Sequence, residues 1–138
     1  MPDGSTPRVL IVDDNLDFRS ILGDRLKSQG FSIIEDHLET LAKIVEAVRQ
    51  NRFDAIILDI HMPGLNGFDV LKAIRKVDLG FPALVLTGSK NSHSVQRAME
   101  LGCKSVFEKP CDIKDLVQEL QQLIESHSKE TPLRKTPA

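Results

Sequence analysis

Apolar residues fall along this chain in two alternating rhythms. Short, predominantly apolar runs occur at Val9 to Val12, Phe31 to Ile34, Ala55 to Leu58, Ala83 to Leu86 and Val106 to Phe107. Runs of this length, rich in Val, Ile and Leu, are what strands buried on both faces look like. Between them the spacing changes to three and four residues. Phe18, Ile21, Leu22 and Leu26 share one helical face, then Leu41, Ile44, Val45 and Val48, then Phe68, Leu71 and Ile74. Val95, Ala98 and Met99 form a fourth stripe, and Ile113, Leu116, Val117, Leu120, Leu123 and Ile124 a fifth.

Five strand and helix pairs in strict alternation imply an α/β fold with a parallel sheet, right-handed crossovers and helices on both faces. Each crossover must bury its apolar stripe against the sheet. Breakers fall between the elements at Gly30, at Pro63, Gly64 and Gly67, at Gly80 and Pro82, at Gly102 and at Pro110. Periodicity is missing before residue 8 and fades from Ser126. The expected organisation is therefore a flexible N-terminus at 1–7, one domain at 8–125 and a flexible tail or linker at 126–138.

Composition narrows the function classes. With 138 residues, 41% of them hydrophobic, one core can form without disulfides or structural metals. The net charge of −2, with both signs interspersed, offers no basic stripe for a nucleic-acid backbone. Cys103 and Cys111 form neither a CxxC pair nor a zinc pattern and read as reduced thiols. No apolar run suits a signal peptide or a membrane span, so a soluble cytoplasmic protein is expected. His37, His61, His93 and His127 lack the spacing of a metal site and are expected on the surface.

The chemistry lies where the strands end, because open parallel sheets bind ligands at the carboxyl edge. The first run ends in Asp13-Asp14, the third in Asp59, the fourth in Thr87 and the fifth is followed by Lys109-Pro110. Asp13 and Asp14 alone could be helix caps, and each of the other endings alone could be an ordinary strand exit. Four coincident polar endings point to one site. Carboxylates about 4 Å apart repel by roughly 4 kcal/mol at an effective dielectric near 20, so three of them call for a cation or a shared proton. An all-oxygen set without His or Cys suits Mg²⁺ or Mn²⁺. A lysine amine and a threonine hydroxyl on the open side suit a phosphoryl group, for which an aspartate is a competent nucleophile.

Asp13-Asp14, the run from Asp59 through Ile60, His61, Met62, Pro63, Gly64, Leu65 and Asn66 to Gly67, Thr87-Gly88 and Lys109-Pro110 together resemble the receiver domain of response regulators. The resemblance spans about residues 8 to 125. It implies a single doubly wound (βα)5 domain with sheet order 2-1-3-4-5. It also implies a two-component phosphorelay role: Mg²⁺-dependent transfer from a phosphohistidine donor to Asp59 that switches partner binding. Asp14 resembles a direct metal ligand, Asp13 a ligand acting through water, and His61 a ligand through its backbone carbonyl. Thr87 would bond the phosphoryl group, Gly88 would leave the acceptor accessible, Lys109 would pair with the phosphoryl charge, and Pro110 resembles the family's cis proline. The implied partners are a sensor histidine kinase or histidine phosphotransfer protein and a downstream target on the helix 4, strand 5 and helix 5 face, roughly Ser92 to Glu125. Such a module is not an enzyme acting on external substrates.

Two departures and two rival readings stand beside this. Val106 occupies the place where many receivers carry an aromatic ring coupled to the threonine, with Phe107 one residue late. Cys111 and Cys103 stand where the family often has an apolar or aromatic residue and an alanine. A haloacid-dehalogenase-type phosphatase would also use Asp, Thr or Ser, Lys and Mg²⁺, but its nucleophile sits in a DxD motif on strand one. Here that position reads Asp13-Asp14-Asn15. A degenerate receiver that binds without phosphorylation is disfavoured by the intact set of Asp13, Asp14, Asp59, Thr87 and Lys109.

Overall fold

The computed structural model describes residues 6–34, 40–60, 65–88, 91–103 and 105–130. Strands β1 (Arg8–Val12), β2 (Ser32–Ile33), β3 (Ala55–Leu58), β4 (Ala83–Thr87) and β5 (Val106–Glu108) alternate with helices α1 (Leu16–Ser28), α2 (Leu41–Arg49), α3 (Gly67–Val77), α4 (Ser92–Glu100) and α5 (Ile113–Glu130). All strands pair in parallel in the order β2-β1-β3-β4-β5. This is the doubly wound α/β fold that the alternation predicts.

The period of two along each strand divides the core into two layers. Leu10, Val12, Ile56, Leu58, Ala83 and Val85 face α2, α3 and α4, meeting Ile44, Leu71, Ile74 and Ala98. Val9, Ile11, Ala55, Ile57, Leu84 and Leu86 face α1 and α5, meeting Leu22, Leu26, Leu116 and Leu120. Val106 lies in the first layer, whereas Phe107 packs against the second. The only ring on β5 is thus on the far side of the sheet from α4.

Helix ends are built from local chemistry. Asn15, Thr40, Asn66 and Asn91 are the N-caps of α1, α2, α3 and α4, each accepting a backbone N–H with its side-chain oxygen. Gly30 and Gly102 take positive φ just past α1 and α4, the left-handed turn that ends a helix most cheaply at glycine. Arg75 of α3 reinforces the second of these turns. Its guanidinium donates to the carbonyls of Leu101 (2.8 Å), Gly102 (3.2 Å) and, at the entry to β4, Phe81 (2.6 Å). Burial holds its pKa below the ordinary arginine value, against the opposing pulls of Cys103 and Asp78. Arg75→Ala is expected to lower stability by about 2–3 kcal/mol, since charged hydrogen bonds to half-buried carbonyls are lost together. Lysine should recover little, having no planar fork. Urea unfolding of both variants checks this, and a wild-type midpoint for either would refute it.

Several expectations need correction. Ile21 and Met99, assigned to inner helix faces, are 60% and 54% exposed, because each lies on the rim of its stripe. On α3 the fully buried Val70 extends the inner face beyond the expected stripe. His127, expected on the surface, is buried. It lies 2.7 Å from Asp78 Oδ2 and edge-on to Phe81, which stacks edge-on against Phe53 in turn. Accordingly α5 does not end near Glu125 but continues to Glu130, with His127 giving its inner face a polar partner in Asp78. At the other end, Pro7 is already tied in, its carbonyl accepting from Ser32 N–H at 2.8 Å. Residues 1–5 and 131–138, which hold most of the two expected flexible ends, lie outside the described residues.

Candidate phosphoacceptor site

Asp13, Asp59, Thr87 and Lys109 stand on successive loops and strand ends at the carboxyl edge of the sheet because the parallel register aligns those ends. Val12 pairs with Leu58, Leu58 with Val85, and Thr87 with Glu108. The residue after each strand is then delivered to the same crevice. Asp59 is fastened by its N–H to the Val12 carbonyl (3.0 Å), and Lys109 by its N–H to the Thr87 carbonyl (2.8 Å).

Asp13, Asp14 and Asp59 each offer a carboxylate oxygen, and these atoms all lie within 4.8 Å of one another. Asp13 and Asp59 are buried and Asp14 is exposed, which gives the cluster one open side. Lys109 Nζ reaches Asp13 Oδ2 at 2.6 Å and Asp59 Oδ2 at 3.4 Å. Burial by itself would lower the lysine pKa. The hydrogen bond from Lys109 to Asp13, and the charges of Asp13 and Asp59, outweigh it and hold the ammonium above its ordinary value. The amine is thus a fixed positive charge between two buried carboxylates. Thr87 is fully buried at the end of β4.

The capping alternative for the acidic pair is resolved atom by atom. Asn15, not Asp13 or Asp14, is the N-cap of α1. Asp13 Oδ1 accepts the Asn15 N–H at 2.9 Å, so one oxygen of Asp13 supports the cap while the other faces Lys109. The His61 backbone carbonyl lies outside the described residues, as do Met62, Pro63 and Gly64.

Three features were not foreseen. Gly67, anticipated as a chain breaker and as the end of the run after Asp59, opens α3 directly against the Asp59 and Ile60 backbone: a Cβ there would fall 2.5 Å from Ile60 Cα and 2.7 Å from the Asp59 carbonyl oxygen. Phe18, anticipated as core, places its ring 4.3 Å from Lys109 Nζ. Gly88 has no neighbour within 4 Å of where a Cβ would stand, so packing does not require its smallness. The peptide bond between Lys109 and Pro110 is cis, as the resemblance implied.

The donor set fits a hard divalent ion. It consists of oxygens only, carries three carboxylates and retains an exposed member through which water and substrate oxygens can enter. No helix of the described residues is long and apolar enough to cross a membrane.

Comparison with known proteins agrees with this geometry. The family model of the response regulator receiver domain matches residues 9–121. The DNA-binding response regulator MtrA of Mycobacterium tuberculosis is 34% identical over 117 residues, covering 83% of this chain and 49% of that protein. The transcriptional regulatory protein PrrA of Mycobacterium leprae is 34% identical over 123 residues, covering 87% of this chain and 51% of that protein. The chain thus spans about half the length of the curated relatives it matches. Among solved structures, the non-phosphorylated HemR receiver domain from Leptospira biflexa superposes with a TM-score of 0.72 at 30% identity, covering 86% of this chain and 94% of that one. Vibrio cholerae chemotaxis protein CheY4 gives 0.74 at 26% identity, covering 86% and 99%. On fold, on the acidic crevice and on sequence, the chain belongs to the response regulator receiver domain family.

Proposed function

We propose that Asp59 accepts a phosphoryl group from a phosphohistidine donor, on a sensor histidine kinase or a histidine phosphotransfer protein. The observation that carries this reading is the pairing of a buried carboxylate cluster with one bridging lysine, Lys109. An Asp59 oxygen attacks phosphorus as the donor's P–N bond breaks. The electron pair passes to the imidazole nitrogen, which is then protonated, and the product is an acyl phosphate on Asp59. Lys109 meets the charge of the transferred oxygens, and the Thr87 hydroxyl, once the group is in place, donates to one of them.

Asp13, Asp14 and Asp59 would hold Mg²⁺, with Mn²⁺ as a substitute and the His61 carbonyl as a further ligand. When bound, such an ion neutralises the carboxylates and polarises phosphoryl oxygens. The chain then acts in the cytoplasm as a switch rather than as an enzyme on external esters. Phosphorylation would alter the face of α4, β5 and α5, Ser92 to Glu125, for a downstream protein partner. Because Val106 has no ring to swing and Phe107 lies on the opposite layer, the change runs through the loop between Thr87 and α4. A shift from 1:99 to 99:1 would need about 5.5 kcal/mol of preference for the active state. The DNA binding named for MtrA belongs to a longer protein, of which the match covers 49%, and no direct nucleic-acid contact is proposed for this chain.

Incubation with Mg²⁺ and acetyl phosphate, read by intact mass, is expected to add one phosphoryl group, and a chelator to prevent it. An unmodified wild-type protein in the presence of metal would sink the reading.

A further inference from the structure

The ring of Phe18 closes a circuit through the acidic site. Asp13 Oδ2 takes the Lys109 ammonium at 2.6 Å, while Asp13 Oδ1 accepts the Asn15 N–H at 2.9 Å. Asn15 Oδ1 in turn accepts the Phe18 N–H at 3.0 Å. From that anchored backbone, the half-buried Phe18 side chain returns over Lys109, whose Nζ stands 4.3 Å from the ring centroid. One carboxylate therefore holds the amine with one oxygen and, through the helix cap, sets the ring against it with the other.

We propose that Phe18 is a positioning residue for phosphoryl transfer, its ring face holding the Lys109 ammonium beside Asp59. This rests on Asp59 being the phosphoacceptor. Packing alone would be satisfied by Leu or Ile at this helix position, but neither attracts a cation, whereas an aromatic face does so more strongly as water is removed. The Lys109 side chain is only 20% exposed. Asp13 faces two cations in the working site: the ammonium, and a divalent ion when one is bound. With an ion held, Asp13 would share its charge between the ion and Lys109, and the ring would help keep the amine within the 3.4 Å reach of Asp59. Rate should thus track the negative charge on the ring face rather than its volume.

The test replaces Phe18 with phenylalanines bearing successively more ring fluorines, which strip charge from the face at nearly constant shape. Phosphorylation rate with acetyl phosphate at saturating Mg²⁺ is expected to fall stepwise, by about three- to tenfold over the series, with Phe18→Leu falling as far. Proton NMR should place the Lys109 ε-methylene upfield in the wild type through the ring current, and at ordinary lysine values in Phe18→Leu. Equal rates across the series, in a protein that does take the phosphoryl group, would overturn the proposal, as would an ordinary Lys109 shift in the wild type. A wild type that takes no phosphoryl group yet shows the upfield shift, lost in Phe18→Leu, would remove the phosphoacceptor reading and leave the hold of the ring on Lys109 standing.

Discussion

Asp59→Asn is expected to abolish the phosphoryl adduct while leaving the domain as stable as the wild type, or more so, in the absence of metal. The amide has almost the shape of the carboxylate but is a poor nucleophile, so the chemistry is lost without a cavity. The electrostatic balance is close to even. Asp13 and Asp59 carry oxygens within 4.8 Å, a repulsion of about 3 kcal/mol at an effective dielectric near 20. Exposed Asp14 adds less, because solvent screens it. Against this stands the loss of the 3.4 Å pair with Lys109, about 5 kcal/mol on the same scale, so relief and loss roughly offset one another, while the shorter bond from Lys109 to Asp13 at 2.6 Å remains. Intact mass and a thermal melt by circular dichroism check both halves. A phosphoryl adduct on the variant would move the acceptor elsewhere, and a melting midpoint well below the wild type would show that Asp59 also holds the fold together.

Gly67→Ala should do the opposite, damaging fold and chemistry together. The added Cβ would meet Ile60 Cα at 2.5 Å, the Asp59 carbonyl oxygen at 2.7 Å and Ile60 Cγ2 at 3.0 Å. Two of these are backbone atoms of the segment that carries Asp59, so no rotamer change relieves the clash. Either α3 lifts from the sheet or the Asp59 segment shifts. The expected cost is on the order of 2–3 kcal/mol, or roughly 10 °C in melting temperature, with a slower phosphorylation rate because the displacement lands beside Asp59. Gly88→Ala is the matched control for stability alone, since its Cβ would meet nothing within 4 Å. Wild-type melting and rate for Gly67→Ala would refute the close approach.

Strand positions were legible because a doubly buried strand leaves an unbroken apolar run, as β3 does throughout and β4 does up to Thr87. Asp13, Asp59, Thr87 and Lys109 were legible as a set because strand ends share an edge in any parallel sheet. Less legible were features that depend on how elements meet rather than on what each contains. An inner helix stripe looks the same whether its first residue faces hydrocarbon or an ammonium, so Phe18 read as core. Arg75 is one basic residue among several on α3, and only the turn after α4 makes it a clamp. His127 sits in a polar stretch that resembles a tail, and its partner Asp78 is distant in sequence.

That buried histidine bears on where the folding unit stops. The family match closes at residue 121, yet α5 runs on to Glu130 and His127 covers the edge of the Phe81 and Phe53 pair beside Asp78. Chemistry and cohesion therefore have different borders. Excising or recombining this module at the end of the family match would preserve every reacting group and still strip the shutter from an aromatic corner of the core. A chimera spliced after His127 keeps that corner shut; one spliced before it begins life with a leak.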